Sequence, residues 1–148
     1  MPNYSGSFTG SVSLQSTIAA QDQTMHQLGL SEIRGTQRCT DEKWNGASLT
    51  YWSVTDLLAG NGPQRGYWIN ERGDGDRDWG TFEGQVAASG TQVRFEGVFK
   101  TTGGSGQFAG ITGEGRYKGA FTSPTEVEMT WEGSYQLAAA SAVGAAGR

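Results

Sequence analysis

Thr101-Thr-Gly-Gly-Ser-Gly-Gln-Phe-Ala-Gly-Ile-Thr-Gly-Glu-Gly115 packs six glycines into fifteen residues, anchored by single apolar residues at Phe108 and Ile111. Strand-like segments flank it, Val93 to Lys100 before and Arg116 to Phe121 after. Such a cluster has three readings: a phosphate cradle, a flexible linker or a tight barrel corner. A P-loop needs Gly-x-x-x-x-Gly-Lys-Ser/Thr running into a helix, and here no lysine stands at the required place. A dinucleotide fingerprint needs Gly-x-Gly-x-x-Gly opening a long helix. Gly104-Ser-Gly106-Gln-Phe-Ala-Gly110 misses the last spacing by one residue, and a strand pattern follows it. A one-turn corner between two strands, with Phe108 tucked under a barrel end, satisfies every residue of the stretch.

Period-two alternation, the mark of half-buried strands, runs outward from this corner almost to both ends of the chain. Tyr4, Gly6, Phe8, Gly10, Val12 and Leu14 share one face; Val93, Phe95, Gly97 and Phe99 share another. Gly115, Tyr117, Gly119 and Phe121 repeat the pattern, as do Val127, Met129, Trp131, Gly133, Tyr135 and Leu137. Four further segments read as strands, roughly 24–36, 47–58, 64–71 and 79–86. Asn45-Gly46, Gly60-Asn-Gly-Pro63, Gly73-Asp-Gly-Asp76 and Ser89-Gly90 supply turns between them. The fold class is therefore all-β: an eight-stranded antiparallel up-and-down β-barrel with a short turn or helical corner near residues 103–112. Eight strands leave an interior just wide enough for side chains or one small ligand. Residues 1–137 form the single domain, and residues 138–148 an Ala/Gly-rich flexible tail.

Composition agrees with curved sheets. The chain of 148 residues is 35% apolar and 18% charged, both low for a globular domain, and 24 glycines make up the difference. Five Trp, five Tyr and six Phe offset the shortage of aliphatic side chains. The net charge of −4 is interspersed, with no basic block to hold nucleic acid. No apolar run approaches the ~20 residues that span a bilayer as a helix, and the first residues lack the pattern of a secretory signal. Cys39 is the only cysteine, which suits a reducing compartment. The expectation is a soluble cytoplasmic protein with no nucleic-acid or membrane partner.

The corner also carries a resemblance. Thr-Gly-Gly-Ser-Gly-x-Phe-x-Gly-x-x-Gly from Thr102 to Gly113, then Pro124, then an alternating strand with Gly133, resembles the C-terminal third of allene oxide cyclase. Dirigent proteins carry a similar Gly-Gly-Ser/Thr-Gly-x-Phe element. The likeness covers about 40 residues, and the order of eight strands extends it over the chain. The N-terminal two-thirds look closer to bacterial relatives of that barrel than to the plant cyclases. The resemblance implies a homo-oligomeric (dimeric or trimeric) eight-stranded barrel around an apolar cavity. None of the cyclases' polar pocket residues aligns onto this chain, so none is carried over.

The candidate catalytic residues are His26, Glu71 and Tyr67. His26, the only histidine, suits general acid–base work near neutral pH if it faces the lumen. Glu71 and Glu83 lie across a hairpin, where two lumenal carboxylates would make an acid–base pair. Tyr67 shares the parity of Glu71. Placing that parity inside would turn Trp68 outward, so solvated glutamates on the outer face fit better. The candidate ligand-binding aromatics are Tyr51, Trp52, Trp68, Phe95, Tyr117 and Trp131.

No metal or cofactor is expected. Asp74-Gly-Asp76-Arg-Asp78 begins like a calcium loop but puts Trp79 and Gln85 where glycine and a bidentate glutamate are needed. Cys39 has only Arg38 beside it to stabilise a thiolate.

Three functions fit this pattern. The first is a barrel that folds a small hydrophobic molecule for isomerisation or cyclisation, accelerating it by orientation. That one requires a cavity of a few hundred Å³. The second is a non-catalytic ligand carrier sharing the same cavity. The third is a filled barrel acting through oligomerisation, which an exposed apolar patch on the outer wall would favour.

Overall fold

The computed structural model describes residues 2–138. The expected tail, residues 138–148, lies outside the described residues except for Ala138. Eight strands run in chain order: β1 (Asn3–Ala19), β2 (His26–Cys39), β3 (Ser48–Leu58), β4 (Gly62–Glu71), β5 (Arg77–Ser89), β6 (Gln92–Gly104), β7 (Thr112–Ser123) and β8 (Glu126–Gln136). Each pairs antiparallel with its neighbours, and β8 returns to β1 from Ser134 opposite Asn3 to Glu126 opposite Ser11, closing the barrel. Closure pairs both edges of β1 from Asn3 to Ser11; beyond the barrel rim its end, to Ala19, pairs with β2 alone. No helix of the described residues is long and apolar enough to cross a membrane.

Glycine and aromatic side chains are partners on the inner face. Gly6 stands opposite Trp131, Gly66 opposite Phe82, Gly80 opposite Trp68, Gly115 opposite Phe99 and Gly119 opposite Phe95. Each ring lies across its glycine: a methyl carbon added at Gly80 would fall 2.6 Å from Cζ2 of Trp68. The glycines make seats for large rings in a narrow interior, and the rings supply the burial the glycines cannot. That pairing accounts for the unusual composition.

The core has two parts. Phe8, Ile33, Tyr51, Trp68, Phe82, Phe95, Phe99 and Tyr117 fill the lumen. Tyr4, Trp44, Phe108, Ile111 and Tyr135 form a plug at the end where the Gly-rich stretch turns. There the expected corner is a one-turn 3-10 helix, Gly106–Phe108. Phe108 is fully buried and stacks on Trp44 with ring centroids 5.0 Å apart. Gly106 has φ of +61°, and a Cβ there would collide with the Asp76 carboxylate, which accepts hydrogen bonds from the Gln107 backbone N–H and side-chain amide. Glycine is thus required at that position by backbone angle and by space.

One strand departs from simple alternation. On β1, Val12 pairs with Ile33 but Leu14 pairs with Glu32, so Ser13 is an extra, bulged residue. The bulge reverses the facing of everything after it. Leu14, expected inside with Val12, lies on the outer wall and is 66% exposed, and β1 continues to Ala19 with Ile18 also outward and 68% exposed.

Candidate functional site

The lumen holds a residual space of about 70 Å³, lined by Tyr51, Trp68, Phe95, Tyr117 and Trp131 together with Gln37, Gln64 and Asn70. Five of the six candidate ligand-binding aromatics therefore face it. Trp52 does not: alternation on β3 sends it outward from its neighbour Tyr51, and it is 36% exposed. The volume is small because the glycine seats are occupied by rings. Pockets for drug-sized ligands run from about 300 Å³, and an engineered cavity that holds benzene has about 150 Å³.

Polar groups in the lumen are mostly paired with one another. The Tyr117 hydroxyl donates to Gln64 Oε1 at 2.8 Å, and burial pushes the Tyr117 and Tyr51 phenols above their ordinary pKa. Gln37 Nε2 donates to Asn70 Oδ1 at 2.7 Å, and Asn70 Nδ2 reaches Asp78 Oδ2 at 3.4 Å. Trp44 Nε1 donates to Asp78 Oδ1 at 3.0 Å. Asp78 is fully buried between lumen and plug, and that burial pushes its carboxyl up to about 6, against the pull of the two N–H donors. Ser53 Oγ and Trp131 Nε1 are buried without a partner among the described residues.

The three candidate catalytic residues are elsewhere. Tyr67 and Glu71 share the outer face of β4, because Gln64, Gly66, Trp68 and Asn70 take the inner one. Tyr67 is 65% exposed, and Glu71 pairs with Arg77 at 2.9 Å, as solvated outer glutamates do. His26 begins β2 on the outer wall at the end opposite the plug. Its Nδ1 lies 2.6 Å from Asp22 and its Nε2 2.6 Å from Asp56. None of the three reaches the lumen, and no two of them form an acid–base pair across it. Among the described residues no group of three or more His, Cys, Asp or Glu is placed to hold a metal ion.

The inner polar residues Gln37, Gln64, Asn70 and Asp78 are additions to the sequence reading. Their signal was parity: Gln64 and Asn70 alternate in step with Trp68, and Asp78 in step with Gly80 and Phe82. Its place as the last aspartate of the calcium-loop-like stretch Asp74–Asp78 hid it.

No protein-family model matches the chain, and no curated protein does.

The outer wall carries the less expected feature. Register aligns Leu14, Glu32, Trp52 and Tyr67 in one row across β1–β4; Ser16, Leu30 and Val54 in the next; and Ile18, Leu28 and Asp56 in a third. Leu30 is 53% exposed at the centre of this area, with Met25 and Leu58 exposed at its border. The one carboxylate among the rows above Asp56 is internally satisfied. Glu32 accepts from Ser13 Oγ at 2.7 Å, Trp52 Nε1 at 2.8 Å and Arg34 Nε at 3.0 Å, bonds that hold it below the usual carboxylate range. Its bond to Trp52 lays that indole along the wall. On β4 to β7 the rows turn to exposed Arg65, Glu83, Lys100, Glu114, Arg116 and Lys118, where Arg116 and Glu132 form a cross-strand pair.

Proposed function

We propose that the protein is a filled β-barrel that works through its outer wall, self-associating over the apolar face of β1–β4. The observation that carries this reading is the exposure of Leu14, Ile18, Leu28, Leu30 and Val54 on adjoining strands. Three strands, β1–β3, about 4.8 Å apart and three rows about 6.8 Å apart cover roughly 300 Å², and Tyr67 of β4 extends the first row. Apolar patches of that size on monomers are often functional, and a stable dimer buries about 800 Å² per partner with an apolar centre and a polar rim. The face would supply that centre. A second copy of the chain is the occupant it suits, since a two-fold contact sets the same patch against itself, apolar row against apolar row, with the internally satisfied Glu32 needing no partner from outside.

The reading includes no isomerase or cyclase step. The lumen of about 70 Å³ falls short of what a folded hydrophobic substrate requires, and among the described residues no carboxylate lines it, Asp78 lying behind Asn70. Kinship with the allene oxide cyclase-like and dirigent-like barrels remains part of the proposal, supported by the corner between β6 and β7 and by the up-and-down order. A cytoplasmic location belongs to it too, supported by the single cysteine.

A second reading, a carrier for a small neutral molecule, is favoured by Trp131, which lines the lumen and whose buried Nε1 has no partner among the described residues. Native mass spectrometry of protein from its own cells separates the two: a retained small molecule supports the carrier.

Hydroxyl-radical footprinting tests the main reading. As protein concentration rises, oxidation at Met25, Leu28 and Leu30 falls, while that at Trp79 on β5 stays constant. Equal oxidation of the face at all concentrations contradicts it.

A further inference from the structure

We infer that self-association of this face is proton-linked through His26, which locks the β1–β2 turn against β3 only while both its ring nitrogens carry a proton. The inference rests on the self-association read above. Both contacts of the imidazole are with carboxylates, at 2.6 Å each. An ionised carboxylate only accepts hydrogen bonds, and a neutral imidazole has a single N–H. Two such bonds at once therefore require the imidazolium ion. The two carboxylates, Asp22 foremost, also raise the pKa of His26 above its ordinary value.

The bridge joins separate elements at the border of the apolar face. Asp22 belongs to the turn after β1, and Asp56 to the outer face of β3. The same turn is held by Ala20 N–H to the His26 carbonyl at 2.9 Å, and by Ala59 N–H to the Met25 carbonyl at 3.0 Å. Met25, 68% exposed, has φ of +63°, a conformation that such anchoring sustains. His26 pairs with Leu58, and Leu28, two residues on, pairs with Asp56 itself. Asp22 and Asp56 are the titratable groups facing the ring; beyond Asp56 the same groove carries Arg65 of β4 and Glu83 of β5.

Loss of the proton leaves one carboxylate without its donor and changes the cluster from a net charge of −1 to −2. Covering that unpaired carboxylate with a second copy then costs its desolvation. The turn that presents Met25 is also held by one bond fewer. Association is therefore tighter below the His26 titration and weaker above it.

The test uses the full chain. As the only histidine in the sequence, His26 gives a single set of imidazole resonances. Long-range ¹H–¹⁵N correlation at pH 6.5 is expected to show both nitrogens protonated. Sedimentation velocity at pH 6 and pH 8.5 is expected to show association weakening by about tenfold, the scale of one lost hydrogen bond to a charged group. His26→Gln and Asp56→Asn are expected to lose that pH dependence while keeping the circular dichroism of the parent. A neutral tautomer at pH 6.5, or the same pH dependence in His26→Gln, overturns the linkage and leaves association standing. A monomer at both pH values overturns the self-association reading itself.

Discussion

Trp44 and Asp78, both fully buried, meet in a 3.0 Å hydrogen bond from indole Nε1 to carboxylate Oδ1 at the boundary between lumen and plug. The pair ties the β2–β3 connection, which supplies Trp44, to the start of β5. No cation among the described residues balances this carboxylate, and burial holds it at about 6 against 3.8 in the unfolded chain.

A carboxyl whose pKa is raised on folding stabilises the fold below its unfolded value, and that contribution is lost as pH climbs towards the folded value. Here the loss runs from about pH 4 to about pH 6, and a shift of some two units corresponds to about 3 kcal/mol. Asp78→Asn keeps an acceptor for Trp44 and removes the titration. Urea unfolding should therefore show the variant gaining about 3 kcal/mol on the parent between pH 4 and pH 7. A constant difference across that range would contradict the assignment.

The glycine seats predict a sharp contrast. A Cβ at Gly80 would collide with the Lys100 carbonyl and the Trp68 ring, whereas one at Gly73 meets nothing within 4 Å. Gly80→Ala is expected to cost about 3 kcal/mol by overpacking, and Gly73→Ala less than about 0.5 kcal/mol as an open surface change. Thermal unfolding of the two variants side by side measures the difference.

Ala59 stands at φ +52° and Gly60 at +83° between Leu58 and Asn61, whose backbones exchange both hydrogen bonds. Positive φ at both central residues is the type I′ hairpin turn, which favours Asn-Gly. Alanine in the left-handed region costs about 1–2 kcal/mol, so Ala59→Asn should raise stability by about 1 kcal/mol. An unchanged denaturation midpoint would count against the turn.

Alternation was enough to reveal most of the barrel. On β6 to β8 the inward residues, from Phe95 and Phe99 to Val127 and Tyr135, follow from parity alone, because those strands bury one face and wet the other. Phe108 was legible as the corner's anchor because it is a lone ring among glycines. Parity failed on β1, where the bulge at Ser13 turns Leu14 and Ile18 outward; a single extra residue leaves no mark in composition. It also misled on aromatics: Trp52 and Tyr67 look like core until their neighbours Tyr51 and Trp68 claim the inside. The His26 bridge joins residues 30 positions apart in sequence, Asp56 to the ring, and emerges only once β2 and β3 are in register. The apolar outer wall was hidden for the same reason, since it consists of single exposed residues from separate strands.

Leu30 sits at the centre of that wall and offers the most direct test of self-association. In sedimentation equilibrium at pH 6 the parent chain is expected to give a multiple of its 15.7 kDa mass, and Leu30→Lys, with an unchanged circular dichroism spectrum, 15.7 kDa. A parent that stays at 15.7 kDa at every concentration, or a Leu30→Lys variant that assembles as the parent does, contradicts the account.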